Sequence, residues 1–308
     1  MAQTSVKDKK SAPKVQNRPA SRVLARRETI SAYLFMLPSL IFFVGFVLVP
    51  MGMCLVYSFL DMGIDTSAAT FTGLSNYVEM FQDKTFIRSL WNTILIVVVS
   101  VPLVTAFSLW VGSAIYPMRS KLRSFFRCVF YLPVVTGSVA VTVVWKWIFN
   151  VYYGVLNQVL GTNQNWLGDE KTAIWCIIMI LFTTSIGQPI VLYVAALGNV
   201  DQSLVEAAQV DGATKLQVFW KIKWPQIMPT TLYILVITTI NSFQCFALIQ
   251  LLTSGGPNGS TNTIMYYIFD MVYRYNDFGY ANAMGVILAI IIAIFSAIQF
   301  KFAKTDNG

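Results

Sequence analysis

Charge, histidine and paired cysteines are scarce in this sequence, and each shortage excludes a class of protein. Of the 308 residues only 12% are charged, whereas a soluble domain carries about 25%. There is no histidine, and the four cysteines stand alone in apolar stretches, without the spacing of a metal site or a disulfide framework. No phosphate-binding loop of the form G-x-x-x-x-G-K-[ST] occurs. We therefore expect no metal, no catalytic group and no ATP site in this chain.

Long apolar stretches dominate instead, since 56% of the residues are hydrophobic. A helix needs roughly 20 apolar residues to cross a bilayer, and six stretches are long enough. The first is longer than the apolar core of a secretory signal peptide, so we expect it to stay in the membrane. The composition predicts an all-α polytopic membrane protein with six transmembrane helices. They are expected near Ala32–Ser58, Asn92–Tyr116, Ser124–Phe149, Ala173–Leu197, Met228–Leu252 and Tyr280–Phe302.

The basic residues give an orientation. Of the 22 Lys and Arg, 17 lie before the first stretch, from the end of the second to Arg127, between the fourth and the fifth, or from Lys301 onward. Positive residues favour the cytoplasmic side, so both termini are expected there and the net charge of +8 is a topology signal. Residues 1–29 are expected to be a disordered basic cytoplasmic tail, 30–303 the membrane domain, and 304–308 a cytoplasmic C-terminus.

The loop over residues 198–226 is unusual for a membrane protein, because it reads as two short helices joined at a glycine. Asp201 or Ser203 can cap the first helix, and Glu206 stands three residues after Ser203 as in a capping box. Gly212 allows a left-handed turn, and Pro225 is expected to end the second helix. Such an elbow can dock into a groove of another protein, or it can be an ordinary connection; the residues alone leave both open.

The spacing of Glu206-Ala207-Ala208, Gly212, Ile222 and Pro225 resembles the EAA loop of bacterial ABC-importer permeases. Trp224 is a departure, since the family commonly has leucine before this proline. Other segments are similar to permeases of the maltose, lactose and glycerol-phosphate type, especially the F-type subunit of lactose importers. They include "AYLFMLPSLIFFVGFVLVPMGMCLVYSF", "FFRCVFYLPVV", "VVWKWIFNVYYGVLNQVL", "LTSGGPNGSTNT" and "YANAMGVILAIIIAIFS".

The resemblance implies a type I importer permease fold in a bacterial inner membrane, and it implies partners. These are a second permease chain, two ATP-binding cassette ATPases carrying ATP and Mg, an extracytoplasmic solute-binding protein and a carbohydrate; no nucleic acid is expected. The binding protein would contact segments 59–91 and 253–279. The residues expected to contact the ATPase are Glu206, Ala207, Ala208, Asp211, Gly212 and Ala213.

Polar side chains near the middle of the fourth and fifth stretches are candidates for a translocation path, since polar groups at bilayer depth are costly. Gly187 and Pro189 are expected to loosen the helix there. Ser, Thr, Asn and Gln also hold membrane helices together, so lining and interhelical contact both remain open. The candidates are Thr184, Ser185, Gln188, Asn241, Ser242 and Gln244.

Two other transport functions are disfavoured by what these stretches lack. A permease for a phosphorylated polyol of the glycerol-phosphate type would want Arg or Lys at depth, and the fourth and fifth stretches have none. A stand-alone secondary transporter would usually need acidic residues or His near the midplane, and none occurs. The sequence therefore favours an ATP-driven importer of a neutral carbohydrate, expected to be an oligosaccharide.

Overall fold

A computed structural model describes residues 22–305, so most of the expected basic tail and the last three residues lie outside the described part. The chain divides into two compact units, residues 1–53 and 54–308. The all-α prediction is confirmed: helices dominate the described residues, and the strands β1 (Leu60–Asp61) and β2 (Thr70–Phe71) form one small antiparallel sheet.

Fifteen α-helices are present between residues 22 and 305. The first eight are α1 (Arg22–Phe43), α2 (Val49–Tyr57), α3 (Ser75–Gln82), α4 (Lys84–Ile115), α5 (Ser120–Val135), α6 (Ser138–Ile148), α7 (Val155–Leu160) and α8 (Ala173–Ser185). The others are α9 (Gly187–Gly198), α10 (Gln202–Val210), α11 (Lys215–Val218), α12 (Trp224–Phe243), α13 (Ala247–Leu252), α14 (Ile264–Asp270) and α15 (Phe278–Thr305). Wider π turns occupy Val44–Leu48, Phe219–Lys223 and Met271–Tyr275, and a short 3₁₀ turn occupies Thr66–Ala68.

Two of the π turns end two residues before a proline, Pro50 and Pro225. The Trp224 N–H donates to the Phe219 carbonyl, five residues back, so the hydrogen-bond register shifts just before the residue that has no N–H. Pro225 then lies in the first turn of α12, where a missing N–H is tolerated. The expectation that Pro225 ends the second elbow helix was therefore wrong, because helical structure continues from Lys215 to Phe243.

Three helices are long and apolar enough to span a bilayer: Ser31–Tyr57, Lys84–Ile115 and Phe278–Lys301. The pairs α5–α6 and α8–α9 also qualify if each bent pair is one span, with bends of 96° and 40°. By length and composition the described residues thus hold three to five spans, and the count of six stays a prediction.

Three expected spans are not continuous helices; one is the fourth stretch, Ala173–Leu197, which breaks between α8 and α9. The third stretch, Ser124–Phe149, turns sharply between α5 and α6, where Pro133 and Gly137 flank the break. A proline cannot donate to the carbonyl four residues back and its ring crowds that carbonyl, which weakens the helix end. The fifth stretch, Met228–Leu252, is also interrupted, since α12 ends at Phe243 and α13 starts at Ala247.

Helix α4 packs against α8, α9 and α12, and α9 also packs against α5. Two glycines permit the close approach of α9. A Cβ on Gly112 of α4 would lie 2.9 Å from the Cβ of Tyr193, and one on Gly187 would collide with the Phe130 carbonyl of α5. The 40° bend beside Gly187 agrees with the expected loosening of the fourth stretch.

The two ends of α4 carry different structures. At its first residues, the Tyr267 hydroxyl donates to Asp83 at 2.6 Å, so α14 lies there. Just past its last residue, Tyr116 accepts a hydrogen bond from Gln202 of α10 at 3.1 Å. A helix of 32 residues is about 48 Å long, enough to cross a bilayer. The elbow and α14 therefore lie at opposite ends of α4; we call the end at the elbow the inner side and the end at α14 the outer side.

Candidate functional site

The elbow has a defined turn at its glycine. Gly212 has φ +82°, the left-handed region that glycine adopts without a Cβ penalty, as expected. The Ala213 N–H donates to the Ala208 carbonyl at 2.9 Å, and the Gly212 N–H donates to the Gln209 carbonyl at 3.1 Å. This pair of bonds is a Schellman motif, which usually brings together the side chains that here are Ala208 and Ala213. The E-A-A-x-x-x-G-A spacing thus encodes a compact, closed turn.

Capping fixes where both elbow helices begin. Asp201 caps α10 by accepting the Ser203 N–H at 2.9 Å, and the hydroxyl and N–H of Ser203 lower the pKa of the Asp201 carboxyl. The expected capping box of Ser203 with Glu206 was wrong, since Ser203 lies inside the helix and its hydroxyl donates to Asp201. A capping box does occur, between Thr214 and Gln217 at the start of α11.

The elbow has a buried face and a free one. Val205 and Val218 are buried against a cluster with Tyr193, Leu197 and Ile227. Ala208 and Ala213 are half-buried at the edge of that cluster. The other four expected coupling residues are exposed, namely Glu206, Ala207, Asp211 and Gly212. Two apolar side chains are exposed among them, Val210 at 88% and Leu216 at 71%, so the free face is partly apolar.

Tyr116 connects the elbow to the ends of the long helices, and the sequence did not single it out. Its hydroxyl accepts from Gln202, the Arg123 guanidinium carbon lies 5.0 Å from its ring centre, and Lys223 Nζ lies 6.0 Å from it. Cations above an aromatic face are attracted by its negative quadrupole. These residues are up to about 100 positions apart and share no motif, so only the fold could reveal the contact.

Three cavities lie along α5 and the α8–α9 pair; the middle one is also bordered by α12, the outer one by α6 and α13, and the inner one lies between α5 and α9. The middle one holds about 150 Å³ and contains four of the expected path residues, Thr184, Ser185, Gln188 and Asn241. The outer one holds about 340 Å³ and is lined by Thr184, Gln244 and Phe246 among others. The inner one holds about 470 Å³ and is lined by Gln188 and by the first turns of α5.

The cavities follow one another in depth. The outer and middle cavities share Val134 and Thr184, and the middle and inner cavities share Gln188 and Leu192. No charged side chain lines the outer or the middle cavity. We call this series of cavities, whose lining is both polar and apolar, the track.

Three amide side chains on this track have no hydrogen-bond partner among the side chains of residues 22–305. Gln188, Asn241 and Gln244 are exposed, and none makes a side-chain hydrogen bond to another of the described residues. Thr184 bonds only to helix carbonyls, of Ile180 and Leu181. Ser242 differs, because it is 2% exposed and lines none of the three cavities. An amide that held this chain's own helices together would be bonded across them, so the free amides fit a lining role.

Arg127 lines the inner cavity and was not among the expected path residues. It donates to Ser124 at 3.3 Å, and no carboxylate lies within ion-pair distance of it in the part of the chain that the structure describes. The sequence assigned Arg127 to the basic loop after the second stretch, where it counted only toward topology. Its place about two turns into α5 puts a cation at the inner end of the track.

The known proteins to which this chain is similar are components of membrane transport systems. The family described as binding-protein-dependent transport system inner membrane component matches residues 25–305. A probable ABC transporter permease protein of Bacillus subtilis (strain 168), YesP, is 34% identical over 285 residues, 90% of this chain and 91% of that protein. The diacetylchitobiose uptake system permease protein NgcF of Streptomyces coelicolor is 31% identical, over 94% of this chain and 87% of that protein.

A solved structure shares the fold. It is a bacterial ABC transporter involved in the import of the acidic polysaccharide alginate, and one of its chains matches with a TM-score of 0.76. The match covers 92% of this chain and 99% of that one, at 23% sequence identity. The permease fold expected from the sequence is thereby confirmed.

Proposed function

Because the chain belongs to the family of inner membrane components of binding-protein-dependent transport systems, we propose that it is one permease subunit of an ATP-driven carbohydrate importer. It forms half of a translocation path and passes the motion of a partner ATPase to that path. It performs no covalent chemistry itself; ATP and Mg belong to the partner ATPases. The chain crosses a bacterial inner membrane several times, with both termini in the cytoplasm.

The observation that carries the proposal is the row of unpartnered amides on the track. Gln188, Asn241 and Gln244 face space rather than another side chain of the described residues. Water, a solute or a facing chain must satisfy them, because an unsatisfied amide in hydrocarbon is costly. Asn241 and Gln244 line cavities without a charged side chain, and such neutral hydrogen-bonding groups suit a sugar, whose hydroxyls donate and accept. The NgcF protein is the permease of a diacetylchitobiose uptake system, which supports a carbohydrate for this chain too.

The elbow supplies the coupling. Its free face presents Glu206 and Ala207 beside the exposed Val210 and Leu216, an arrangement that suits docking in a groove of another protein. Its buried face packs on Tyr193 and Leu197 of α9, the helix that also carries Gln188. A displacement of the docked elbow is thereby passed to the helix that lines the track. Packed interfaces switch between discrete arrangements, which amplifies such small shifts.

A phosphorylated polyol is the second candidate solute, and Arg127 favours it. A guanidinium at the inner end of the track matches a phosphate bidentately. The outer and middle cavities have no charge, however, so an anion would meet its first cation only near the exit. We therefore place the neutral oligosaccharide first.

The test is purification of the tagged chain from its native membrane in mild detergent, with co-purifying chains identified by mass spectrometry. We expect a second permease and an ATPase with a phosphate-binding loop, in a fixed ratio. Uptake in vesicles without ATP by the chain alone would instead support a secondary transporter and overturn the proposal. In parallel, a strain lacking the chain is offered a pool of isotope-labelled short neutral oligosaccharides and glycerol 3-phosphate. The compound whose uptake is lost identifies the solute.

A further inference from the structure

Four aromatic rings on the outer side form a continuous row that the proposed path does not include. Tyr273 and Phe269 have ring centres 4.6 Å apart, and Phe269 and Phe246 have theirs 5.0 Å apart. Tyr266 stacks on Phe246 at 6.4 Å with an interplanar angle of 24°. We call Phe246, Tyr266, Phe269 and Tyr273 the aromatic ladder.

The ladder leads from the outer surface to the mouth of the track. Its first ring, Tyr273, is 71% exposed and lies in the π turn after α14. Its inner ring, Phe246, lines the outer cavity together with Gln244. Helix α14 is fixed to the outer end of α4, where the Ile264 N–H donates to Thr93 Oγ1 at 3.0 Å. A solute arriving from outside therefore meets Tyr273 before it reaches the first free amide.

One ring of the ladder is buried in the apolar core, and the other three are not. Tyr266 is 1% exposed and belongs to the apolar cluster around α8 and α13. Phe246 and Phe269 are half-buried, and Tyr273 is mostly exposed although it is a large aromatic residue. Packing within residues 54–308 buries the ring of Tyr266, whereas the other three rings keep part of their surface exposed.

Polar groups border the exposed rings. Arg274 Nε lies 3.2 Å from Asp270 Oδ1, and Arg274 Nη2 donates to the Tyr266 hydroxyl at 3.3 Å. The Arg274 side chain is about half exposed, so it retains free N–H groups beside Tyr273. An apolar ring face next to a few fixed polar groups is the usual composition of a small-molecule site. A pyranose ring matches it, because one face of the sugar presents C–H groups and its rim presents hydroxyls.

We propose that the aromatic ladder is an entry subsite at which the pyranose rings of an oligosaccharide stack on Tyr273, Phe269 and Phe246 before they reach Gln244. This inference rests on the proposed function and specifies its substrate as a ring-containing sugar rather than an open-chain polyol. The Asp270–Arg274 ion pair holds the π turn and offers hydrogen bonds to the sugar rim.

The experiment uses a strain that lacks the chain, complemented with the wild type or a variant, and the labelled oligosaccharide pool described above. Tyr273→Leu removes one exposed ring. We expect the sugar concentration for half-maximal uptake to rise about three- to tenfold, the range for loss of one aromatic contact. Tyr273→Phe keeps the ring and should restore uptake. Tyr275→Leu is the matched control, because Tyr275 is 68% exposed two residues away and makes no ring contact with the ladder.

Each outcome decides something. If wild-type cells import a sugar and Tyr273→Leu cells import it with unchanged concentration dependence, the ladder is overturned and the importer stands. If the wild type and the deletion strain do not differ for any sugar, the proposed function fails and the ladder fails with it. If Tyr273→Leu reduces co-purification of the second permease, Tyr273 is an interface residue and the subsite is overturned. Phe269→Leu, which preserves apolar volume, should repeat the effect of Tyr273→Leu.

Discussion

At the scale of single residues, the carboxylate of Asp83 accepts hydrogen bonds from three groups on the outer side. Its carboxylate accepts the Thr85 N–H at 2.7 Å, the Tyr267 hydroxyl at 2.6 Å and the Tyr280 hydroxyl at 3.0 Å. Burial by itself would raise the pKa of Asp83, but these donors outweigh it and the pKa is lowered. The ionised carboxylate thus joins the start of α4 to α14 and α15, the elements that carry the outer surface.

Changing Asp83 to Asn should lower the thermal stability of the purified chain at neutral pH. A hydrogen bond to a charged group contributes about 1.5–3 kcal/mol, and asparagine presents only one weaker acceptor. A lowered folded-state pKa gives stability that is present above the unfolded value of about 3.9 and lost as the pH falls through the folded value. The difference in Tm between the two proteins should therefore shrink below about pH 4.

Asp65→Asn is the control for this prediction, because Asp65 is exposed and bonds only to Ser67. The Tm of Asp65→Asn should match that of the wild type both at neutral pH and below about pH 4. If the Tm difference between Asp83→Asn and the wild type stayed constant from neutral to acid pH, the shape of the side chain and not its charge would matter at this position.

At the scale of elements, the sequence predicted the elbow because its signals are local. A left-handed glycine and an Asp cap are properties of a few consecutive residues, and both were found at Gly212 and Asp201. The capping box of Ser203 with Glu206 was wrong because Asp201, the other candidate cap, lies two residues earlier and begins α10. The spacing rule alone does not decide between these two caps, whereas the burial of Val205 against the membrane helices sets which face α10 buries.

Breaks in the membrane helices were predictable only where a residue type signals them. Pro133 with Gly137, and Gly187 with Pro189, accompany the bends of 96° and 40°. The break after Phe243 has no glycine or proline near it. There the ring of Phe246 packs on Phe269 of α14, a contact between residues far apart in sequence, and no local pattern reports such a contact.

The elbow turn itself should be required for coupling. A Cβ at Gly212 would meet nothing within 4 Å, so Gly212→Val acts through the backbone and through the free face. A side chain at φ +82° costs about 1–2 kcal/mol. We expect the variant to insert and assemble but to show reduced sugar-stimulated ATP hydrolysis in reconstituted vesicles, because the Schellman turn that sets the docking face is disturbed.

Gly161→Val is the matched control, since Gly161 has φ +64° and equally open space but ends α7, outside the elbow. It carries similar backbone strain and should leave the stimulated hydrolysis near the wild-type rate. Equal losses in both variants would assign the effect to general strain and not to the elbow.

At the scale of the whole molecule, the position of the track could be predicted and its composition only in part. Depth along an apolar stretch singled out Gln188, Asn241 and Gln244, since helix rise is constant, and each of the three lines a cavity. Ser242 is adjacent in sequence and points into the core, because successive residues on a helix differ by about 100° in direction. Arg127 was missed because its distance from Gln188 depends on how α5 packs on α9, which Gly187 permits.

The last prediction tests whether the polar side chains at the end of α12 line the path or pack against other helices. Asn241→Leu and Gln244→Leu should each reduce uptake of the transported sugar about five- to tenfold, the cost of roughly one hydrogen bond, while the ATPase still co-purifies. Ser242→Ala, a buried neighbour outside the cavities, should leave the concentration dependence of uptake unchanged. Loss of the second permease from purified Asn241→Leu or Gln244→Leu complexes would mean that these amides bond to the facing chain. Unchanged uptake in both, beside intact assembly, would remove them from the path and leave Gln188 and Thr184 as its polar lining.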